Sequence, residues 1–113
     1  MLTELKNIIE GAWDNRELLN EDKTQNAIRT VIEELDKGRL RVASVESDKW
    51  QVNNWIKKAV ILYFPIQKME TLEAGAMEFH DKMKLKSNYA KLGVRVVPHA
   101  VARYGAYLAK GVI

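Results

Sequence analysis

The sequence predicts an α+β fold: a small helical cap domain carrying a β-hairpin over residues 1–95, followed over residues 96–113 by the first turns of a parallel β-helix. Three observations predict it. Apolar residues recur at helical spacing in two separate stretches, Leu5 to Trp13 and Ala27 to Leu35. The period then falls to two across Arg39–Val45 and Trp50–Asn53, with turn-forming residues between. Near the end, glycines recur at 105 and 111, and Val101, Tyr107 and Ile113 recur at the same interval of six, the spacing of a hexapeptide coil.

Taken in order, Leu5, Ile8, Ile9, Ala12 and Trp13 form one helical stripe from about Glu4 to Asn15, with Thr3 placed to cap it. The polar stretch Asp14–Lys23 interrupts the pattern. Ala27, Ile28, Val31, Ile32 and Leu35 restart it as a second helix, with Asn20 or Asp22 as cap and Lys37-Gly38 as a basic, glycine-terminated close. Leu40 and Val42 share a face of the first hairpin strand, Glu46-Ser47-Asp48-Lys49 supplies the turn, and Trp50-Gln51-Val52-Asn53 alternates again. Asn53 or Asn54 can cap a third helix, Trp55–Phe64, apolar nearly all round except at Lys57-Lys58 and therefore buried on most sides; a buried strand is the competing assignment, and Pro65 fits either. Ile66–Asn88 reads as irregular with at most one short strand, Asp81–Lys86 as an extended segment with a basic face, and Tyr89–Gly93 as a single helical turn ended by glycine. Hexapeptide coils need about three stacked neighbours to bury their faces, so the expectation is a truncated solenoid, part of a longer protein.

The 113 residues, 47% hydrophobic and 29% charged, suit one small domain. The absence of cysteine excludes disulfides and thiolate metal sites. The longest apolar run, Ala59–Phe64, is six residues, against about 20 for a membrane-spanning helix. With an acidic amphipathic opening in place of a signal peptide, the expected location is the cytoplasm and no membrane partner is expected. The net charge of +3 is uneven: residues 1–56 carry 8 Lys+Arg against 11 Asp+Glu, and residues 57–113 carry 10 against 4. The second half favours an anionic partner, a nucleic acid or a phosphorylated or carboxylated small molecule.

Three stretches together resemble the tetrahydrodipicolinate N-succinyltransferase family in its N-terminal region. They are Leu5–Glu10 with Gly38–Ala43; Trp50–Phe64, with its tryptophans, lysine pair and apolar helix; and Phe79–Lys82 with Gly93–Pro98 running into Arg103–Ala109. Met83-Lys84 stands where the family usually has valine and proline, Ser87 where it has an aromatic, and His99 where it has a second proline or a small residue. The resemblance implies that the β-helix is left-handed. It implies transfer of succinyl from succinyl-CoA, as co-substrate, to tetrahydrodipicolinate in diaminopimelate and lysine biosynthesis. It also implies a homotrimer, no permanently bound cofactor, catalytic acids lying outside these residues, and hence an inactive fragment. Arg95, in Arg-Val-Val-Pro, matches the family arginine that contacts the dicarboxylate substrate, for which a guanidinium fork is well suited.

Other candidates have plainer readings. Lys57 and Lys58 could meet coenzyme A phosphates, yet helix lysines commonly extend from apolar faces to water. Lys82, Lys84 and Lys86 could form an anion-facing edge, or simply discourage strand pairing. His80 and His99 lack zinc spacing, no metal site is expected, and His80-Asp81 has no nucleophile in context. Trp13, Trp50 and Trp55 read as core rather than as a base-stacking platform. The rival to an acyltransferase is a small binding domain whose basic half meets nucleic acid; aromatics on buried stripes make nucleic acid the weaker choice.

Overall fold

The computed structural model describes residues 1–113. Helix α1 (Leu2–Asp14), a 3₁₀ helix (Arg16–Asn20) and helix α2 (Asp22–Asp36) lead into a hairpin of β1 (Ala43–Glu46) and β2 (Lys49–Val52). Helix α3 (Asn54–Ile66), a second hairpin of β3 (Glu70–Ala74) and β4 (Met77–Asp81), and the one-turn helix α4 (Tyr89–Leu92) follow. Each hairpin is a separate two-stranded antiparallel sheet. No helix is long and apolar enough to cross a membrane.

The core lies among α1, α2 and α3. Leu5, Ile9 and Ala12 face Ala27, Ile28, Val31, Ile32 and Leu35, and Ile56, Ala59, Leu62 and Tyr63 complete the cluster with Met83. The stripes read at helical spacing are the buried ones. Trp13 and Trp55 pack against this cluster half-buried. Helix α3 takes the helical alternative and runs through Pro65 in its last turn, although Ile61 remains half-exposed.

The caps differ from expectation. Thr3 lies inside α1, whose N-cap is Met1, and α2 is capped by Glu21 rather than by Asn20 or Asp22, neither helix having a side-chain cap bond. Asn20 is taken up by the 3₁₀ helix that abuts α2. Asn53 precedes α3 but turns its amide to the Arg41 carbonyl (2.8 Å) and the Ser44 hydroxyl (3.1 Å), joining the hairpin to the helix.

The first strand begins at Ala43 and not at Arg39. The N–H groups of Arg39 and Leu40 both donate to the Glu34 carbonyl, and the Arg39 guanidinium grips the Glu34 carboxylate through two bonds of 2.6 and 3.0 Å. These residues close α2 instead. Ser47 and Asp48, with φ of 50° and 63°, make the left-handed two-residue turn that suits a tight hairpin. Val42 packs toward the core, so alternation turns Ala43, Val45, Trp50 and Val52 outward, and Trp50 is 77% exposed. Trp50 is therefore not core.

The stretch expected to be irregular holds two strands. Leu72 opposite Phe79 forms their half-buried pair, and Gly75, at φ 65°, lies in the connection. Like charges oppose each other at Glu70–Asp81 and Glu73–Glu78, a composition that strands usually avoid.

Beyond α4 the chain forms no named strand, but its turns keep the period of six. The Ala100, Ala106 and Val112 N–H groups donate to the carbonyls of Val97, Arg103 and Ala109, and the third residue of each turn, His99, Gly105 and Gly111, has φ of 77°, 103° and 92°. Two backbone contacts tie this segment down: residues 84–86 pair antiparallel with 102–104, and residues 93–95 meet 111–112 running in the same direction, through Gly111 N–H to the Gly93 carbonyl and Arg95 N–H to the Val112 carbonyl. Gly38 admits it closely, since a Cβ there would stand 2.8 Å from the Tyr107 ring.

Candidate functional site

Gly93, at φ 73°, ends α4, with its N–H on the Ala90 carbonyl and the Val94 N–H on the Tyr89 carbonyl. After it Val94 is buried and Arg95 is exposed. The Gly93 carbonyl accepts from Gly111 (2.8 Å) and the Arg95 N–H donates to Val112 (2.9 Å), so the backbone of this residue is fixed by the C-terminal segment. Its side chain is exposed and takes part in none of the chain's ion pairs. Arg95 borders an open apolar cavity of about 280 Å³ lined by Val94, Val96, Val97, Val101, Leu108 and Val112. A charged fork beside an apolar hollow can hold an anionic group attached to an apolar body.

In the turn of residues 97–100, His99 occupies the left-handed position that Gly105 and Gly111 hold in the two later turns. A side chain there costs roughly 1–2 kcal/mol, and glycine is favoured at the third position of such a turn. His99→Gly is expected to raise stability by about 1 kcal/mol, measured as an upward shift in the urea unfolding midpoint.

The second feature is a buried charged joint. Asp36, the last residue of α2, accepts from the Lys86 ammonium (2.8 Å) and the Gly105 N–H (2.9 Å) on one carboxylate oxygen and from Lys37 (3.2 Å) on the other. Both members of the Asp36–Lys86 pair have side chains only 5% exposed. Burial pushes the Asp36 carboxyl upward, but the bonds from Lys86, the Gly105 N–H and Lys37 outweigh it and hold the group below the usual carboxylate range. Next to it, Tyr104 donates to Glu33 (2.8 Å), and burial, reinforced by that carboxylate, raises its phenol.

This joint was not legible as a site, and Lys86 in particular is buried, not part of an exposed basic edge. One signal pointed to it: an acid closing a helix opposes the helix dipole and calls for a cationic partner from elsewhere. A groove of about 570 Å³ opens beside the joint, lined by Lys37, Lys84, Lys86 and Lys91 together with Ser87 and Asn88.

The remaining candidates are scattered. Lys58 pairs with Glu10 (2.6 Å) beside the Trp13 ring, and Lys57 is exposed. The His80 ring meets the Thr71 hydroxyl (3.1 Å) across the second hairpin, while His99 stands in its turn. No group of three or more histidine and carboxylate side chains is gathered in the fold.

Residues 4–66 match the family model described as tetrahydrodipicolinate N-succinyltransferase N-terminal. The whole chain is 46% identical to the 2,3,4,5-tetrahydropyridine-2,6-dicarboxylate N-succinyltransferase of Paracidovorax citrulli, covering 45% of that protein. Proteins of the same name from Coxiella burnetii and Variovorax paradoxus are 42% and 41% identical over 99% and 100% of this chain, which covers 44% and 45% of them. The chain thus spans a little under half the length of these relatives.

Proposed function

The chain belongs to the tetrahydrodipicolinate N-succinyltransferase family, and from that membership we propose that it supplies the dicarboxylate-gripping N-terminal part of an enzyme moving succinyl from succinyl-CoA to tetrahydrodipicolinate. The reaction serves diaminopimelate and lysine biosynthesis in the cytoplasm. The working unit is a homotrimer with no permanently bound cofactor, and residues 96–113 begin its left-handed β-helix. The three turns spaced by six residues support that last point.

The observation that carries the proposal is Arg95: its backbone is fixed while its guanidinium is exposed and unpaired. A planar fork with no local acid is free to take a substrate carboxylate through two parallel bonds. This chain's share of the reaction is to bind and orient, and proximity of two held reactants is itself a large part of such catalysis. The acid–base groups lie outside these residues, so the chain mixed with both substrates releases no thiol above the uncatalysed rate. Nucleic acid is not the partner of choice, since the most exposed aromatic, Trp50, lies in the net acidic half.

Arg95→Ala tests the proposal in a chimera carrying residues 1–113 on the remainder of a relative. Losing one charged partner of a carboxylate costs about 1.5–3 kcal/mol, so kcat/KM for the dicarboxylate should fall roughly ten- to more than a hundredfold. The KM for succinyl-CoA should hardly change. Arg95→Lys should recover only part of the loss, because the ammonium lacks the fork. Equal losses for both substrates, or none, would remove Arg95 from the site.

A further inference from the structure

We propose that the groove between the end of α2 and the segment 84–91 binds a compact phosphate-bearing small molecule, at a site separate from Arg95. Lys37, Lys84, Lys86 and Lys91 line it, and its one acid is Asp36. That acid is spent: both carboxylate oxygens already accept, from Lys86 and Gly105 on one and from Lys37 on the other. The negative end of α2 is also met, because Lys86 donates to the Asp36 carbonyl (3.3 Å) as well as to its carboxylate. An incoming anion therefore meets no competing free carboxylate on the wall, and the ammonium groups left to face it are those of Lys84 and Lys91.

Lys84 and Lys91 make no ion pair. Lys84 is held over the Tyr104 ring, 4.5 Å from its centroid, and Tyr104 is itself anchored to Glu33. Ser87 and Asn88, whose backbone N–H groups find no acceptor in the chain, also line the groove.

The chemistry of the donors selects the ligand class. Arg95 offers a planar fork suited to carboxylate, whereas the groove offers several point charges and no guanidinium, which suits the tetrahedral, multiply charged phosphate group. At about 570 Å³ the groove is the size of a small-molecule site. A stacked nucleic acid strand is disfavoured because the one aromatic in the groove has Lys84 over it. The phosphate could be that of free diphosphate or of a nucleotide such as the adenosine bisphosphate portion of a coenzyme A thioester.

The test is titration of the 113-residue chain with inorganic pyrophosphate, with adenosine 3′,5′-bisphosphate and with citrate, followed by amide chemical shifts and calorimetry. Saturable pyrophosphate binding with shifts centred on residues 84–91, weakened at least tenfold by Lys84→Gln with Lys91→Gln and unchanged by Lys23→Gln on the first turn of α2, is the expected result. Tighter binding of the bisphosphate with the same lysine dependence identifies a nucleotide as the source; equal or weaker binding identifies the free diphosphate. If the double variant is unstable, Lys91→Glu on exposed α4 repeats the test by charge reversal. Absence of saturation, equal weakening by Lys23→Gln, or citrate binding as tight as pyrophosphate would overturn the proposal.

Discussion

Asp36→Ala is expected to cost about 3–5 kcal/mol, because it leaves the Lys86 ammonium buried without its carboxylate. A small domain holds only about 5–15 kcal/mol in total, so the variant should unfold at a much lower urea concentration. The Gly105 N–H and the Lys37 ammonium lose their acceptor at the same time, which loosens the C-terminal segment from α2. Hydrogen exchange should show residues 102–106 losing protection along with the core. The joint also sets a pH dependence. Its carboxyl is held below the usual range in the folded state, so the stability it supplies is fully present above the unfolded value of about 3.9 and is lost as pH falls through the lower folded value. Asp36→Asn should therefore give a flatter stability profile between about pH 5 and pH 2 than the parent chain.

Leu62→Ala should be nearly as damaging, at about 2–5 kcal/mol. Leu62 is fully buried on α3, in the cluster that this helix shares with α1 and α2. Truncation removes its transfer free energy and leaves a cavity that three rigid helices close only in part. Trp50→Ala provides the contrast: the larger side chain stands 77% exposed on the outer face of the first hairpin, and its loss should change stability by less than about 0.5 kcal/mol. Paired urea titrations of the two variants measure both. A loss at Trp50 comparable to that at Leu62 would mean that the hairpin face is covered in solution.

Local pattern by itself determined the first two long helices, their buried stripes and the presence of the first hairpin, since periods of 3.6 and 2 follow directly from backbone geometry, while it left the third segment open between helix and strand. It also determined the period of six at the end of the chain, which reappears as left-handed residues at positions 99, 105 and 111. The resemblance to the family lay in runs of residues adjacent in sequence and needed no fold to be read. Arg95 was singled out in the same way, as a proposed substrate contact, through its Arg-Val-Val-Pro setting, whereas its freedom from ion pairs is visible only in the structure.

Only the tertiary structure decided the rest, because it depends on contacts between distant residues. Asp36 and Lys86 are fifty positions apart, and nothing in either neighbourhood states that the two are buried together. The second hairpin hides behind four acids that face each other in pairs; its half-buried pair, Leu72 and Phe79, becomes visible only when the strands meet. Trp50 alternates correctly, but which face of a two-stranded ribbon meets the core is set by the packing of Val42 and by the bonds of Asn53, not by the alternation. Periodicity states which residues share a face; burial is decided by what the rest of the chain lays against it.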